Sequence, residues 1–224
     1  MSFSSDLNIL INNSKRNSKA IVPCARICNQ VRPGTPKQLE TAINAHMQEH
    51  RVSGMTCLED VVTYCVKYQN YIFEEGWKQR RTAYKVKARY SPEEIRAYVY
   101  DLFVTKTLEG YRWEQKVIAD LSVHLPDHIY IQQETKWDED YAVDLAFIDE
   151  TSGAHVKAVQ VKPASYQHTL KTYYHDRGKR HWNEKQNEDY SKEFRADVQY
   201  VYYNKENKTW AGLGDLLSCL QAMS

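Results

Sequence analysis

The chain has 224 residues, of which 42% are hydrophobic and only 8 are glycine and 6 are proline. Enough apolar side chain is present to bury a sizeable core, which excludes a disordered chain and a small disulfide-stapled scaffold. The 30 basic and 29 acidic residues nearly cancel. This balance excludes a strongly basic protein that coats nucleic acid, so any DNA-binding site must be a local patch.

The N-terminal segment and the cysteines predict an intracellular, cytoplasmic protein with no membrane association. The first 12 residues lack the regions of a secretory signal, and no stretch approaches the roughly 20 apolar residues of a membrane span. Cys24 and Cys28 loosely fit half a zinc site, but no second ligand pair of matching spacing follows, so we interpret them as small buried residues. Free thiols are expected at Cys24, Cys28, Cys57, Cys65 and Cys219.

The first half of the chain is predicted to be helical. Residues 1–20 are polar and predict a mobile arm or a loosely docked segment. Thr35 and Ser91 each precede a proline and have Gln or Glu three residues later, which is the pattern of a capping box at a helix start. Apolar residues at three- and four-residue spacing complete the pattern. The predicted helices span residues 36–49, 56–75, from 92 onward, and 108–125.

The period changes in the second half, where alternating and β-rich segments predict strands. The predicted strands span residues 128–134, 141–149, 154–162 and 197–203. A turn at 150–153 joins the second and third strands, and Pro163 ends the third. A mainly helical stretch covers 166–194 and a short helix covers 214–223. This order predicts a mixed α/β (α+β) fold, in which a β-sheet flanked by helices follows a helical N-terminal half.

Three polar residues on the predicted β-hairpin indicate a catalytic function. Gln160 and Lys162 are two residues apart and share one face of their strand. Asp144 lies on the preceding strand, with 15 residues between it and Gln160. Asp144 can hold a divalent metal, the Gln160 carbonyl is a weaker, neutral ligand, and Lys162 can orient water and stabilise phosphate charge. Each residue alone is as easily a solvated surface group, but the burial of such a set on apolar strands is costly unless the charges are paired or bind something.

This pattern resembles the signature of the PD-(D/E)XK nuclease superfamily, in which an acid, a spacer and then an acid-X-Lys sequence lie across a β-hairpin. In this chain Val143 stands where that pattern has proline, and Gln160 replaces the usual second acid, which removes one negative charge. Active members with Gln at this place exist. The resemblance implies a restriction-endonuclease-like core, Mg²⁺ held by Asp144, Gln160 and a further acid from a preceding helix, and a catalytic role for Lys162. We predict that Glu114 is the further acid, and the alternative is that it lies on a solvated helix surface.

Two further stretches narrow the resemblance. The sequence Gln-Val-Lys-Pro-Ala-Ser-Tyr at residues 160–166, together with the tyrosine-rich segment 198–203, resembles MjaI-like type II restriction endonucleases. This resemblance implies double-stranded DNA as substrate, a short specific site, a homodimer and a prokaryotic-type restriction-modification setting. Residues 106–224 are then the catalytic core, and residues 1–105 are a mainly helical region that clamps DNA, mediates dimerisation, or does both.

Two basic clusters predict contacts with DNA phosphates, whereas their alternative interpretation is a solvated surface. No acid interrupts the first cluster, which also contains Trp77 and Tyr84. The second cluster lies within the long polar stretch. The predicted DNA-binding residues are Lys78, Arg80, Arg81, Lys85, Lys87 and Arg89 in the first cluster, and Arg177, Lys179, Arg180 and His181 in the second.

Other functions stay open from the sequence. A repair or recombination nuclease could use the same core. The neutral Gln160 also permits a catalytically inactive DNA-binding protein, and an α/β interaction protein without a nucleic-acid role is a third alternative. His168, His175 and His181 permit a His-Asn-His nuclease, but that motif needs two strands around its catalytic histidine. Because this segment is predicted to be mainly helical, we favour the restriction endonuclease.

Overall fold

The computed structural model describes residues 22–50, 54–74, 89–166 and 177–222. The chain divides into two compact units, Met1–Tyr111 and Arg112–Ser224. The sequence analysis placed its division between residues 105 and 106, and the roles it assigned to the two regions stay predictions. None of the helices in the described part combines the length and the apolar character needed to cross a membrane.

The described part of the first unit is helical. Its elements are α1 (Cys24–Val31), α2 (Pro36–His50), α3 (Leu58–Glu74), α4 (Pro92–Tyr100), a π-helical turn (Asp101–Thr105) and the beginning of α5 (Lys106–Ser122). Leu39, Ile43 and Met47 recur every four residues along α2 and are fully buried, because that spacing keeps them on one face of the helix. Cys28 and Cys65 belong to the same buried core, as expected for small apolar side chains.

Both predicted capping boxes form, at the starts of α2 and α4. The Thr35 hydroxyl accepts a hydrogen bond from the Gln38 N–H at 3.3 Å, and the Gln38 side chain accepts one from the Thr35 N–H at 3.1 Å. Ser91 and Glu94 exchange the equivalent pair at 3.1 and 2.7 Å. Each pair satisfies backbone donors that a helix start otherwise leaves unpaired. Local sequence therefore sets where these two helices begin.

The second unit is built on a mixed sheet with the strand order β1-β2-β3-β4-β5. Its elements after α5 are β1 (Ile129–Gln132), α6 (Thr135–Tyr141), β2 (Leu145–Asp149), β3 (His155–Pro163), α7 (Arg177–Phe194), β4 (Val198–Asn204), β5 (Thr209–Ala211) and α8 (Leu213–Gln221). Strands β3 and β4 are parallel, and the other neighbouring pairs are antiparallel. A parallel pair needs a crossover connection, and α7 lies within it. The predicted mixed α/β fold is confirmed.

The alternation of side chains along the strands divides the core of this unit between two helical layers. Phe147 and Val159 are fully buried in a cluster with apolar residues of α5 and α8. Ala146, on the opposite face of β2, is buried with Trp137 of α6 and Tyr190 of α7. The sheet is therefore covered on both faces, which explains why its central strands read as nearly continuous apolar runs.

The segment before β2 differs from its prediction as a strand beginning at residue 141. Residues 135–141 form α6, and β2 begins only at Leu145. Trp137 is 6% exposed, and the burial of this large side chain stabilises a helix that is too short to form by itself. Ala142 then adopts a left-handed conformation with φ 53° and ψ 43°, which turns the chain from α6 towards β2. Strand β5, which pairs with β4, was not predicted either.

We predict that Gly212→Ala lowers the free energy of unfolding by about 2–3 kcal/mol. Gly212 has a φ of 86°, and an added Cβ would lie 2.8 Å from the Tyr200 carbonyl oxygen. Backbone strain and a clash with main-chain atoms therefore both oppose alanine. Gly153 is the matched control, because its φ is 67° but nothing lies within 4 Å of an added Cβ.

Gly153→Ala should lower the free energy of unfolding by about 1 kcal/mol, because only the strain of the left-handed backbone opposes alanine there. Urea unfolding of the two variants beside the unsubstituted protein measures both losses. Equal losses would show that the close approach of Gly212 to Tyr200 contributes nothing.

Candidate active site

Asp144 lies at the entrance to β2, directly after the turn that ends α6. Its N–H donates a hydrogen bond to the Val159 carbonyl at 2.9 Å. Strand β2 begins at the next residue, where Leu145 pairs with Val159 in the antiparallel register of β2 and β3. Gln160 and Lys162 follow Val159 along β3 and, being two residues apart, share one face of that strand. The hydrogen bond to Val159 therefore places Asp144 beside the strand that carries both residues.

The Asp144 carboxylate is tied to the neighbouring strand. Its Oδ2 accepts a hydrogen bond from the Val161 N–H at 2.6 Å and lies 4.0 Å from Lys162 Nζ. The Asp144 side chain is 7% exposed and that of Lys162 is 23% exposed. Burial raises the pKa of Asp144, while the Lys162 ammonium and the Val161 N–H oppose that rise. The structure thus brings together the acid and the lysine of the sequence pattern.

The side-chain oxygen of Gln160 has no partner in the part of the chain that the structure describes. The residue is 1% exposed, and its Oε1 is buried with no hydrogen-bond donor among the described residues. Leaving such an acceptor unsatisfied costs about 1–3 kcal/mol. The oxygen belongs to the residue that the sequence analysis assigned as a neutral metal ligand.

Glu114 extends from α5 towards the same group of charges. Loss of hydration raises the pKa of its carboxyl group well above the usual value, and the neighbouring charges of Asp144 and Asp138 raise it further. The nearby Lys162 ammonium opposes these effects. Glu114 is therefore not a freely solvated helix residue. It lies within electrostatic reach of Asp144 and Lys162, with which the sequence analysis grouped it.

Asp138 is a fourth charged member of the site that sequence reasoning missed. Burial, followed by the charge of Asp144, raises the pKa of Asp138 to about 6, while Lys162 opposes the rise. Asp138 lies on α6 beside Glu139 and Asp140, which are both exposed. The sequence does show three consecutive acids shortly before Asp144. Only the folding of α6 distinguishes the partly buried Asp138 from the exposed Glu139 and Asp140.

The site holds an excess of negative charge that fits a divalent cation. No described residue donates a hydrogen bond to the side chain of Glu114 or Asp138, and crowded carboxylates remain ionised only if a cation compensates them. Carboxylate and amide oxygens are the ligands that Mg²⁺ prefers. In the described part of the chain, no three Asp, Glu, His or Cys side chains converge into a complete ligand set. The fit therefore relies on the Gln160 oxygen and on water, several molecules of which Mg²⁺ usually retains.

A row of tyrosines borders the site. Tyr200 and Tyr202 lie opposite Gln160 and Lys162 in the parallel register of β3 and β4. The Tyr200 and Tyr202 rings stack at 5.9 Å, and Tyr166 stacks on Tyr200 at 6.4 Å. The Asn187 side chain of α7 donates to the Tyr200 hydroxyl at 2.9 Å. These rings form an aromatic wall beside the polar residues, with a geometry suited to contact with nucleotides or sugars.

Most of the predicted DNA-binding residues cannot be placed against this site. Arg89 is exposed, and its guanidinium carbon lies 5.1 Å from the centre of the Phe73 ring. Positions 177–181 lie in the first turns of α7, although their side chains are outside the described residues. Also outside the described residues are Lys78, Arg80, Arg81, Lys85, Lys87, His168 and His175.

We predict that Glu114→Gln stabilises the metal-free protein at neutral pH. A carboxyl whose pKa is raised on folding binds more protons in the folded state, so its contribution to stability falls as pH rises above about 4.5. Glutamine cannot ionise and escapes this loss. The gain over the unsubstituted protein should be absent near pH 4 and grow towards pH 7, as measured by urea unfolding in the presence of a chelator.

Asp120→Asn is the control of opposite sign on the same helix. Asp120 Oδ2 accepts hydrogen bonds from Lys116 Nζ at 2.7 Å and Trp210 Nε1 at 3.0 Å. The Lys116 hydrogen bond is the main reason that the pKa of Asp120 lies below its usual value. Its stabilising contribution is therefore present at neutral pH and is lost in acid, so Asp120→Asn should destabilise at pH 7. A loss of stability in Glu114→Gln at pH 7 would contradict the assigned crowding of acids.

Comparison with family models matches residues 7–213 to the model described as MjaI restriction endonuclease. The match covers both units and contains every residue of the candidate site. Comparisons with curated proteins and with solved structures gave no match.

Proposed function

Because the chain belongs to the MjaI restriction endonuclease family, we propose that it is a type II enzyme that hydrolyses double-stranded DNA at a short specific sequence with Mg²⁺. The observation that carries the proposal is the pairing of Asp144 with Lys162 beside the buried Gln160 Oε1, which has no hydrogen-bond donor among the described residues. These groups lie where β2 begins and β3 ends, close to Glu114. Together they offer anionic oxygens, one neutral oxygen and one cation at a single site.

Asp144, Gln160 and Glu114 are the residues that would hold Mg²⁺. When bound, the ion supplies Lewis-acid chemistry, which makes a water molecule more acidic and offsets the negative charge of the phosphate. Asp144 suits this role because its carboxylate is held in place by the Val161 N–H. Gln160 contributes an oxygen without adding charge, so the burial of this ligand set costs less than the burial of a third carboxylate would.

Lys162 acts on the phosphate and on the attacking water. Its ammonium is partly exposed and lies at the edge of ion-pair distance from Asp144, so it remains able to donate hydrogen bonds to a substrate. In the reaction a bond forms between the water oxygen and phosphorus while one phosphorus–oxygen ester bond breaks, and the leaving oxygen takes up a proton. Charge builds up on the phosphate oxygens in this step, where a fixed cation stabilises it most.

A homodimer is part of the proposal. The described residues form one candidate centre, whereas the cutting of both DNA strands takes two hydrolytic steps. A second copy related by a two-fold axis would present a second centre to the opposite strand, since two-fold symmetry is the commonest arrangement of homo-oligomers. Sedimentation of the protein with and without its cognate DNA measures this property directly.

An inactive DNA-binding protein is the second candidate, and Gln160 is the observation that favours it. A neutral residue at this position weakens the attraction for a divalent cation, and no complete cluster of acidic or histidine ligands is present among the described residues. The two candidates differ in one measurable respect: both bind DNA, but only the enzyme converts it to discrete fragments in Mg²⁺.

We predict that the unsubstituted protein cuts phage DNA into discrete fragments in Mg²⁺, and that Asp144→Asn and Lys162→Ala abolish cutting. Loss of the metal-holding carboxylate should lower the single-turnover rate at least about 10³-fold, and loss of the ammonium about 10²- to 10³-fold. The substituted proteins should still bind DNA, because the two basic clusters are proposed to make most of the phosphate contacts. Gel electrophoresis of timed digests provides the rates.

Asp149→Asn and Lys157→Ala are matched controls on the same hairpin. Asp149 ends β2 and accepts hydrogen bonds from Ser152, and Lys157 pairs with Asp197 at 3.7 Å. Both should cut at nearly the unsubstituted rate. DNA binding without cleavage by the unsubstituted protein, across several DNAs and with both Mg²⁺ and Mn²⁺, would refute the enzyme and favour the inactive binding protein.

We predict that Arg80→Ala and Arg81→Ala weaken DNA binding nearly equally on specific and unrelated sequences. Phosphate contacts release bound counterions, so each lost contact should lower the slope of log affinity against log salt by about 0.9. Lys192→Ala is the control, because that ammonium already pairs with Asp189 at 3.4 Å and Glu188 at 4.0 Å. Fluorescence anisotropy over a salt series measures the slopes, and unchanged slopes would assign the first basic cluster to a solvated surface.

A further inference from the structure

Helix α6 is held firmly beside the candidate site. Its Trp137 is buried in the core between the sheet and α7, and the Trp137 carbonyl accepts a hydrogen bond from the Val143 N–H at 3.1 Å. At its C-terminal end, the Gln186 side chain of α7 donates to the Glu139 and Asp140 carbonyls at 3.0 and 2.9 Å. Two contacts with other elements, the burial of Trp137 and the Gln186 hydrogen bonds, therefore set the orientation of α6.

This orientation gives the three acids of α6 different surroundings. Glu139 and Asp140 are exposed, whereas Asp138 is partly buried. The Asp138 carbonyl accepts a hydrogen bond from the Ala142 N–H at 3.2 Å, which is the bond that ends α6, and Asp144 follows Ala142 by two residues. The charges of Asp144 and Lys162 act on the partly buried Asp138 carboxylate, and the charge of Asp138 acts on Glu114.

The number of carboxylates around the proposed cation suggests a role for Asp138. An acid at position 160 would place three carboxylates around the cation, but Gln160 leaves only Asp144 and Glu114. We propose that Asp138 supplies the missing negative charge as a positioning residue, which attracts the divalent cation electrostatically from α6 without being one of its direct ligands. The absence of a ready three-acid ligand cluster among the described residues favours action by charge over direct contact.

This inference rests on the proposed function, and metal binding in the absence of DNA tests it separately from cleavage. Calorimetric titration of the full chain with Mg²⁺ and with Mn²⁺ should show about tenfold weaker binding for Asp138→Asn. Asp140→Asn, which removes the same charge from an exposed position of the same helix, should change the affinity less than about twofold, because water screens exposed charges. Asp138→Glu should keep most of the affinity, since it keeps the charge.

The decisive variant moves the charge to the neighbouring strand. In the Asp138→Asn background, Gln160→Glu should restore the metal affinity to within about threefold of the unsubstituted protein. A purely structural role of Asp138 in α6 would not be rescued by a carboxylate on β3. Asp138→Ser repeats the measurement with a smaller neutral side chain, in case Asp138→Asn does not fold, and circular dichroism confirms the fold of every variant.

The outcomes separate the inference from the proposed function. Affinity of Asp138→Asn equal to that of the unsubstituted protein, or a loss that neither Asp138→Glu nor Gln160→Glu reverses, overturns the inference. If Asp144→Asn still abolishes metal binding and cleavage in that case, the proposed nuclease stands. If the unsubstituted protein neither binds Mg²⁺ or Mn²⁺ nor cuts DNA, both fail together.

Discussion

The burial of the Asp144 carboxylate is the constraint on which the candidate site depends. A carboxylate that is 7% exposed loses most of its hydration, and the described compensation consists of the Val161 N–H at 2.6 Å and the Lys162 ammonium at 4.0 Å. Both partners lie on β3, so the compensation exists only in the observed register. A slip of one residue would turn Gln160 and Lys162 to the opposite face of the sheet. The chemistry of the site therefore depends on the register of this one hairpin.

The layers around the sheet hold this hairpin end in place. On one face, the aromatic rings of Trp137, Tyr190 and Phe194 pack edge to face or tilted, with centroid distances of 4.6–6.4 Å. On the other face, Val117 and Leu121 anchor α5 in the core, one and two turns beyond Glu114. Such packing fixes side-chain positions within the narrow tolerance that phosphate chemistry requires. The site thus lies at the end of a rigid scaffold rather than on a free loop.

The polar groups of the site lower the stability of the metal-free protein. The Gln160 Oε1 is buried without a donor among the described residues, and the charge of Asp144 acts on the carboxyl groups of Glu114 and Asp138. Unsatisfied burial and like charges both cost free energy, which apolar side chains at these positions would avoid. The presence of these groups in a member of a restriction endonuclease family fits the role in Mg²⁺ binding that we propose for them.

The sequence by itself determined the helix starts at Thr35 and Ser91, the mixed α/β class, and the shared face of Gln160 and Lys162 on β3. These features follow from capping and from period-two alternation, which act within a few residues. Only the tertiary structure decided that residues 135–141 form a helix, because the burial of Trp137 between sheet and α7 stabilises a segment too short to be helical alone. For the same reason the inward direction of Asp138 and the dehydration of Glu114 could not be predicted. Both depend on which groups surround a carboxyl in space, and those groups come from separate elements of the chain.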